Sequence, residues 1–224
     1  TVSRGLGDVY KSQVRMGFKQ GMASPNVFRH EGKGITCTVH GDDFTSSGPA
    51  DSLDWLETSV ANEYEISVGP RLGPGPNDAK QARALNRVIT WHDDRIEYEA
   101  DPRQAERLIK ECGLDGANPM ATPGAKATYQ DHEGDKPLDK GLHTAFRGSA
   151  ARSNYMSAER LDCQFACKEI CRTMSTPTEQ GWKALKRLGR YLCGAPRLVY
   201  TYRRQTVDAI DVYVDTDWAG CVKT

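Results

Sequence analysis

The chain has 224 residues, of which 38% are hydrophobic, and this is enough to bury a core in one or two domains. Its 30 basic and 30 acidic side chains cancel, so no global charge attracts it to nucleic acid or to a membrane, and local patches must bind any such partner. The sequence lacks a leader peptide and an apolar run of about eighteen residues, and its seven cysteines lack the spacing of a disulfide framework, which predicts reduced thiols in the cytosol or nucleus.

A hairpin with two carboxylates at its tip is the clearest element of the first half. Ile35, Cys37 and Val39 alternate with polar residues, which is the period of a strand with one buried face. Gly41-Asp42-Asp43 interrupts this pattern before the chain continues as a second strand. Around this hairpin the sequence predicts a helix over 8–18, a strand over 27–30, a helix over 50–64 and a Gly- and Pro-rich loop over 69–76.

The second half begins with another hairpin and continues with helices. Residues 85–98 predict two strands that turn at His92-Asp93-Asp94. Asp101-Pro102 and Gly113 are the residue types that begin and end a helix. The remaining predictions are an exposed and mobile connection over 118–141, helices over 144–174 and 178–193, and a last strand over 210–215. Hairpins followed by helices predict an α+β fold.

Asp42 and Asp43 have the residue type and the position of a divalent-metal site. Mg²⁺ prefers hard oxygen ligands and accepts one or two carboxylates together with water and substrate phosphate, and Gly41 allows a phosphate close to the backbone. Asp also favours turns because of its local hydrogen bonding, so the pair alone leaves an ordinary turn as the alternative. His92-Asp93-Asp94 is such a turn in this same chain, and we assign it no chemistry.

Two predicted helices carry basic stripes that could neutralise phosphates. Lys183, Lys186, Arg187 and Arg190 mark one face of the helix over 178–193, and Trp182 and three leucines mark another. Arg103, Arg107 and Lys110 repeat the arrangement on the helix after Asp101. A charged face on an amphipathic helix is also typical of a merely solvated surface, and both interpretations remain open at this point.

Cys163, Cys167 and Cys171 recur every four residues on one predicted helix. Metal sites built from thiolates use tighter spacing, with further ligands from another segment. We therefore interpret these cysteines as small buried hydrophobic side chains that line one helix face.

The order of short motifs along the whole chain resembles the Pol polyproteins of copia-type retrotransposons. These motifs are Gly17-Phe18, Ser24-Pro25-Asn26-Val27-Phe28, Val39-His40-Gly41-Asp42-Asp43, Leu85-Asn86-Arg87, Ala121-Thr122-Pro123, Asn154-Tyr155-Met156-Ser157, Trp182-Lys183-Ala184-Leu185-Lys186-Arg187, Arg190-Tyr191-Leu192 and Asp215-Thr216-Asp217-Trp218-Ala219-Gly220. The resemblance implies the C-terminal part of a reverse-transcriptase palm over 1–75, a primer-grip-like hairpin over 76–100, a mostly helical thumb and connection over 101–204, and the start of an RNase H-like domain over 205–224.

The resemblance also implies roles for individual residues. Asp42 matches a metal ligand of the polymerase site and Asp43 its partner, while Asp215 matches the first metal-binding aspartate of RNase H. The parent enzyme would use two Mg²⁺ ions for nucleotidyl transfer. His40 stands where the family usually has Tyr, a difference expected to alter contact with the primer end. The chain begins without Met and ends just after the last motif, so we expect the remaining palm and fingers upstream and the other RNase H carboxylates downstream.

The implied reaction of the parent is RNA-directed DNA synthesis, with an RNA or DNA template-primer and deoxynucleoside triphosphates as partners and no membrane. We expect it in cytoplasmic retrotransposon particles or in the nucleus. The chain by itself holds part of the metal site, so we expect it to have little or no polymerase activity. Two alternatives remain: a non-catalytic nucleic-acid-binding or interaction protein from a decayed element, and, ranked last, an unrelated metal-dependent phosphotransfer protein.

Overall fold

The structure, a computed structural model, describes residues 6–125, 134–206 and 208–214. It divides the chain into two compact units, residues 1–70 and 71–224, and each contains a four-stranded antiparallel sheet and helices. This arrangement confirms the predicted α+β class. Among the described residues, no helix is both long enough and apolar enough to span a membrane.

The first unit consists of one sheet with helices before and after it. The strands pair in the order β1-β2-β3-β4. The elements are α1 (Leu6–Arg15), β1 (Lys19–Gln20), β2 (Val27–His30), β3 (Ile35–His40), β4 (Asp43–Ser47) and α2 (Ala50–Ala61). All the elements predicted for this part of the chain form, with boundaries shifted by a few residues.

The core of the first unit lies between β3 and α2. The alternation predicted for β3 puts Ile35, Cys37 and Val39 on its buried face. These side chains cluster with Leu56 and Val60, which are one turn apart on α2, and with buried aromatic residues of the neighbouring segments. Burial of this face fixes the register of β3, because a shift by one residue would expose all three side chains. The β3–β4 turn is therefore held by a buried strand.

In its described residues, the second unit combines a sheet with a bundle of four helices. Its strands pair in the order β5-β6-β7-β8. The elements are β5 (Gln81–Ala84), β6 (Arg87–Trp91), β7 (Arg95–Glu99), α3 (Pro102–Glu111), α4 (His143–Ser157), α5 (Gln164–Cys171), α6 (Glu179–Gly194) and β8 (Val199–Arg203).

The core of the second unit lies inside the helical bundle. Leu185, Leu188 and Leu192 form the buried stripe of α6, as their spacing predicts, and they pack with Leu108 of α3 and Phe146 of α4. Asp101 caps α3 by accepting a hydrogen bond from the Arg103 amide at 3.1 Å, with Pro102 in the first helical position. The predicted helix start at Asp101-Pro102 is confirmed.

Three predictions for the second unit need correction. The helix predicted over 144–174 is two helices, α4 and α5, because residues 158–163 interrupt the α-helix. Val199–Arg203, predicted as part of a mostly helical region, is a strand that pairs with β7. The strand predicted over 210–215 is wrong for residues 210–214, which have no regular structure and expose Ile210 and Tyr213 by 87% and 92%. An alternating segment without a neighbouring strand gains no ladder hydrogen bonds.

Candidate metal-binding turn and nucleic-acid surfaces

The Asp-Asp pair lies at the tip of the β3–β4 hairpin. His40 pairs with Asp43, so the loop between them consists of Gly41 and Asp42 only. Gly41 has a φ of +65°, and a positive φ confined to the first loop residue is the pattern of a type II′ turn, which requires glycine there. A Cβ at Gly41 would meet no atom within 4 Å, so the space beside the turn is open.

Both carboxylates of this turn, and the neighbouring His40 side chain, are exposed. Their oxygens are free to meet a hard cation, and the donor set fits part of a Mg²⁺ site that is completed by water, phosphate or another carboxylate. Among the described residues, no group of three or more His, Cys, Asp or Glu side chains could hold a metal. Asp215, the aspartate assigned to RNase H, lies outside the described residues.

The second Asp-Asp turn, at His92-Asp93-Asp94, differs because the next residue, Arg95, binds one of its carboxylates. Arg95 donates to Asp94 and to Glu97, both at 2.9 Å. The hydrogen bond from Arg95, followed by the contact with His92, holds the pKa of Glu97 below its usual range. One carboxylate of this turn, that of Asp94, therefore already has a cationic partner, unlike those of the Asp42-Asp43 turn within the described part of the chain.

The basic stripe predicted on α6 divides into two pairs of residues with different contacts. Lys183 and Lys186 are exposed, and the Lys186 ammonium lies 5.4 Å from the centre of the Trp182 ring. Arg187 and Arg190 are half-buried and hold the segment 118–122 against α6. The Arg187 guanidinium donates to the Thr122 hydroxyl, and that of Arg190 donates to the Asn118 carbonyl, each at 2.7 Å.

This contact changes the interpretation of both segments. Residues 118–122, part of the connection predicted as exposed and mobile, are tied to α6 by two arginines. The Met120 amide also donates to the Arg190 carbonyl at 3.2 Å. On α6, the lysines are therefore the side chains available to a phosphate, and the arginines already have partners within the protein.

The basic residues predicted on α3 divide in a similar way. Arg103 binds its own N-cap, because its Nε and Nη2 donate to the two carboxylate oxygens of Asp101 at 2.9 and 2.8 Å. The hydrogen bond from this guanidinium is the largest influence on the pKa of Asp101 and lowers it. Arg107 is exposed on the same helix, one turn further along. Arg107 is thus more available to a phosphate than Arg103.

The cysteines on the third predicted stripe are buried. Cys163 and Cys167 are fully buried in the bundle core, where burial raises the pKa of Cys163 to about 12 and that of Cys167 to about 11. Cys171 is partly exposed, and its Sγ lies 3.5 Å from the Ala150 carbonyl oxygen. The interpretation of small buried hydrophobic side chains is confirmed for Cys163 and Cys167.

Comparison with known proteins adds a relationship to this geometry. Over 114 residues, 50% of its length, the chain is 34% identical to the retrovirus-related Pol polyprotein from transposon RE2 of Arabidopsis thaliana. Over the same number of residues it is 31% identical to the Pol polyprotein from transposon RE1 of that plant. The chain is a relative of retrotransposon Pol polyproteins. The resemblance predicted from its motifs is confirmed.

The chain spans 8% of the length of each of these Pol polyproteins. It is also 28% identical, over 131 residues, to an uncharacterized mitochondrial protein of Arabidopsis thaliana, of which it spans 50%. No protein-family profile and no solved structure matches the chain.

Two of the Pol-like motifs meet in the second unit through a residue that the sequence does not point to. Leu85-Asn86-Arg87 forms the β5–β6 turn and the start of β6, and Asn154–Ser157 is the end of α4. Glu159 follows that helix, and its carboxylate forms an ion pair with the Arg87 guanidinium. Glu159 lies in no periodic pattern and in no motif, so only its surroundings in the fold mark it.

A buried arginine next to Glu159 binds the C-terminus of α6. Arg160 is 3% exposed and donates through two nitrogens to Asp162, at 3.0 and 2.7 Å. It also donates to the carbonyl of Ala195 at 2.8 Å, and so it satisfies the C-terminus of α6. These contacts give Arg160 and Asp162 a structural role.

Proposed function

We propose that the chain is part of the RNA-directed DNA polymerase of a copia-type retrotransposon, with Asp42 and Asp43 as carboxylate ligands of its catalytic metal site. The observation that carries this proposal is the exposed Asp42-Asp43 pair on a tight hairpin turn with open space at Gly41. The similarity of the chain to Pol polyproteins supports the assignment. In this proposal residues 1–75 belong to the palm, 76–100 to a primer-grip-like hairpin, 101–204 to the thumb and connection, and 205–224, with Asp215, to RNase H.

The proposed role of the turn is to position two negative charges where a primer end and a nucleotide meet. A bound Mg²⁺ would supply positive charge that stabilises the attacking and leaving oxygens of phosphoryl transfer. Asp42 and Asp43 would hold it, and the buried face of β3 would keep them in place. Since the proposed site requires further carboxylates, the chain alone is expected to extend no primer.

Template-primer binding is the second part of the proposal. Lys183, Lys186 and Arg107 are exposed on two helices of one bundle, and exposed cations are what phosphates require. Arg103 is 46% exposed despite its contact with Asp101 and would add a weaker contact, whereas Arg187 and Arg190 would act by holding residues 118–122.

Primer extension by a longer polyprotein that includes this chain tests the proposal. Asp42→Asn should abolish magnesium-dependent extension, while the control Asp51→Asn, on an exposed carboxylate in the first turn of α2, should leave it intact. Equal activity of the two variants would exclude the Asp42-Asp43 turn as the metal site. Template-primer binding by the unsubstituted polyprotein without any extension would favour the alternative of a non-catalytic nucleic-acid-binding protein from a decayed element.

A further inference from the structure

The β5–β6 turn has a backbone conformation that its first residue, Leu85, does not favour. Leu85 and Asn86 form a two-residue loop between the paired Ala84 and Arg87, with φ values of 49° and 68°. Two positive φ values define a type I′ turn, which favours Asn and Gly. Asn tolerates this region, but Leu gains nothing from it and pays about 1 kcal/mol. Such strain persists only where surrounding contacts hold it, and it is frequent at functional sites.

The contacts that hold this turn come from Arg87 and Glu159. The Arg87 Nη1 donates back to the Leu85 carbonyl at 2.6 Å, across the turn. The Nε and Nη2 of the same guanidinium bind the Glu159 carboxylate. One side chain therefore joins the turn to the residue that follows α4.

Glu159 connects more than this one arginine. The Tyr98 hydroxyl of β7 donates to its Oε1, and the Asp101 amide at the start of α3 donates to its Oε2, both at 3.5 Å. The backbone carbonyl of Glu159 accepts from the Tyr200 hydroxyl of β8 at 2.6 Å. Three strands and the N-terminus of a helix thus meet at a single residue.

The burial of Glu159 makes the ion pair selective. Its side chain is 19% exposed and that of Arg87 is 24% exposed. A carboxylate largely removed from water is stable only when it is paired, so Arg87 has one strongly favoured orientation. Because that orientation also places the donor for the Leu85 carbonyl, the ion pair selects the conformation of the turn.

We propose that Glu159 is a positioning residue that, through Arg87, locks the β5–β6 turn in its strained conformation for contact with a template-primer duplex. The contacts above support the locking of the turn, whereas its role in template-primer contact rests on the proposed function. Tyr155, 62% exposed, lies near enough to Arg87 and to Arg103 to interact with both electrostatically, and the N-cap residue that Arg103 binds also donates its amide to Glu159. The turn, an aromatic ring and a cation are therefore close together.

The locking is tested by amide hydrogen exchange on the full chain without nucleic acid. Glu159→Gln should increase exchange at Leu85–Val88 by about tenfold, which corresponds to the loss of one charged hydrogen bond, and should leave β3 and β4 unchanged. The matched control is Glu111→Gln, since Glu111 binds Arg152 between α3 and α4 at 3.0 and 2.8 Å. It should leave the turn protected.

A second variant keeps the test decisive if Glu159→Gln does not fold. Arg87→Gln removes the other partner together with the bond to the Leu85 carbonyl, so it should increase exchange at least as much. The double variant should exchange no faster than Arg87→Gln, because both changes break one ion pair. Unchanged exchange at the turn in either single variant, or additive effects in the double variant, would overturn the locking.

Template-primer affinity of the longer polyprotein tests the purpose separately. Glu159→Gln should weaken binding by about tenfold, as expected when a contact loses its fixed geometry, while Glu111→Gln leaves it unchanged. If Glu159→Gln increases amide exchange at the turn but leaves template-primer affinity unchanged, the proposed role in nucleic-acid contact is overturned and the locking is retained. No binding by the unsubstituted polyprotein overturns the proposed function itself, and with it this purpose.

Discussion

Neutralising Arg190 should lower stability and neutralising Lys186 should weaken nucleic-acid binding, although the sequence predicts one role for both. Arg190 is half-buried, and its guanidinium donates to the Asn118 carbonyl at 2.7 Å. Its loss leaves that carbonyl without a charged donor, so Arg190→Gln should lower the free energy of unfolding by about 1–2 kcal/mol. Lys186 is exposed, and Lys186→Gln should change it by less than about 0.5 kcal/mol.

The salt dependence of binding should show the reverse order. Each phosphate neutralised by a cation contributes about 0.9 to the slope of log affinity against log salt on B-form DNA. Lys186→Gln should therefore flatten the slope by about 0.9, and Lys183→Gln with Lys186→Gln by about twice that amount. Arg190→Gln should leave the slope unchanged, because its guanidinium is engaged within the protein.

Two measurements decide between these roles: urea unfolding of the chain and template-primer titration of the longer polyprotein at several salt concentrations. Equal flattening of the slope by Arg190→Gln and Lys186→Gln, with equal stabilities, would refute the division of the stripe. It would mean that Arg190 can leave the Asn118 carbonyl and bind a phosphate without any loss of free energy.

Three further outcomes follow from the second unit. Leu85→Asn should raise the free energy of unfolding by about 0.5–1 kcal/mol in urea titrations, because Asn tolerates a positive φ and Leu85 is 36% exposed; a loss of stability would contradict the strain. The folded pKa of Asp101 is lowered by Arg103, so its contribution to stability is present above its unfolded pKa of about 3.9 and is lost as pH falls through the folded value. Unfolding experiments between about pH 2 and pH 5 should show this loss, and Arg103→Gln should remove it. Cys163, with a pKa of about 12, should resist alkylation near neutral pH until the chain unfolds, and mass spectrometry of the folded chain would expose an error by finding it modified.

Local signals in the sequence were sufficient for the hairpin that carries the candidate site. The alternation of Ile35, Cys37 and Val39 predicts both strand and buried face, and Gly41 marks the turn, because period and turn chemistry are properties of neighbouring residues. The α6 stripe was likewise predictable from its spacing. In each case the information lies within about one turn of helix or one strand.

Long-range pairing was not visible in the sequence. Val199–Arg203 becomes a strand because β7, about a hundred residues earlier, lies beside it, whereas the equally alternating residues 210–214 have no such neighbour among the described residues. Arg190 has the residue type of a phosphate ligand, but its partner, Asn118, comes from a loop. The role of Glu159 was not predictable for the same reason, since its partners come from distant segments.

The position of β8 in the sheet also has a consequence for biosynthesis. Its partner β7 leaves the ribosome about a hundred residues before it, with all four helices of the bundle between them. Until β8 is synthesised, β7 has an open edge with unpaired backbone groups, which is a template for pairing with other chains. Because contacts so far apart in sequence form late, completion of this sheet is a slow and aggregation-sensitive step in the folding of the nascent chain.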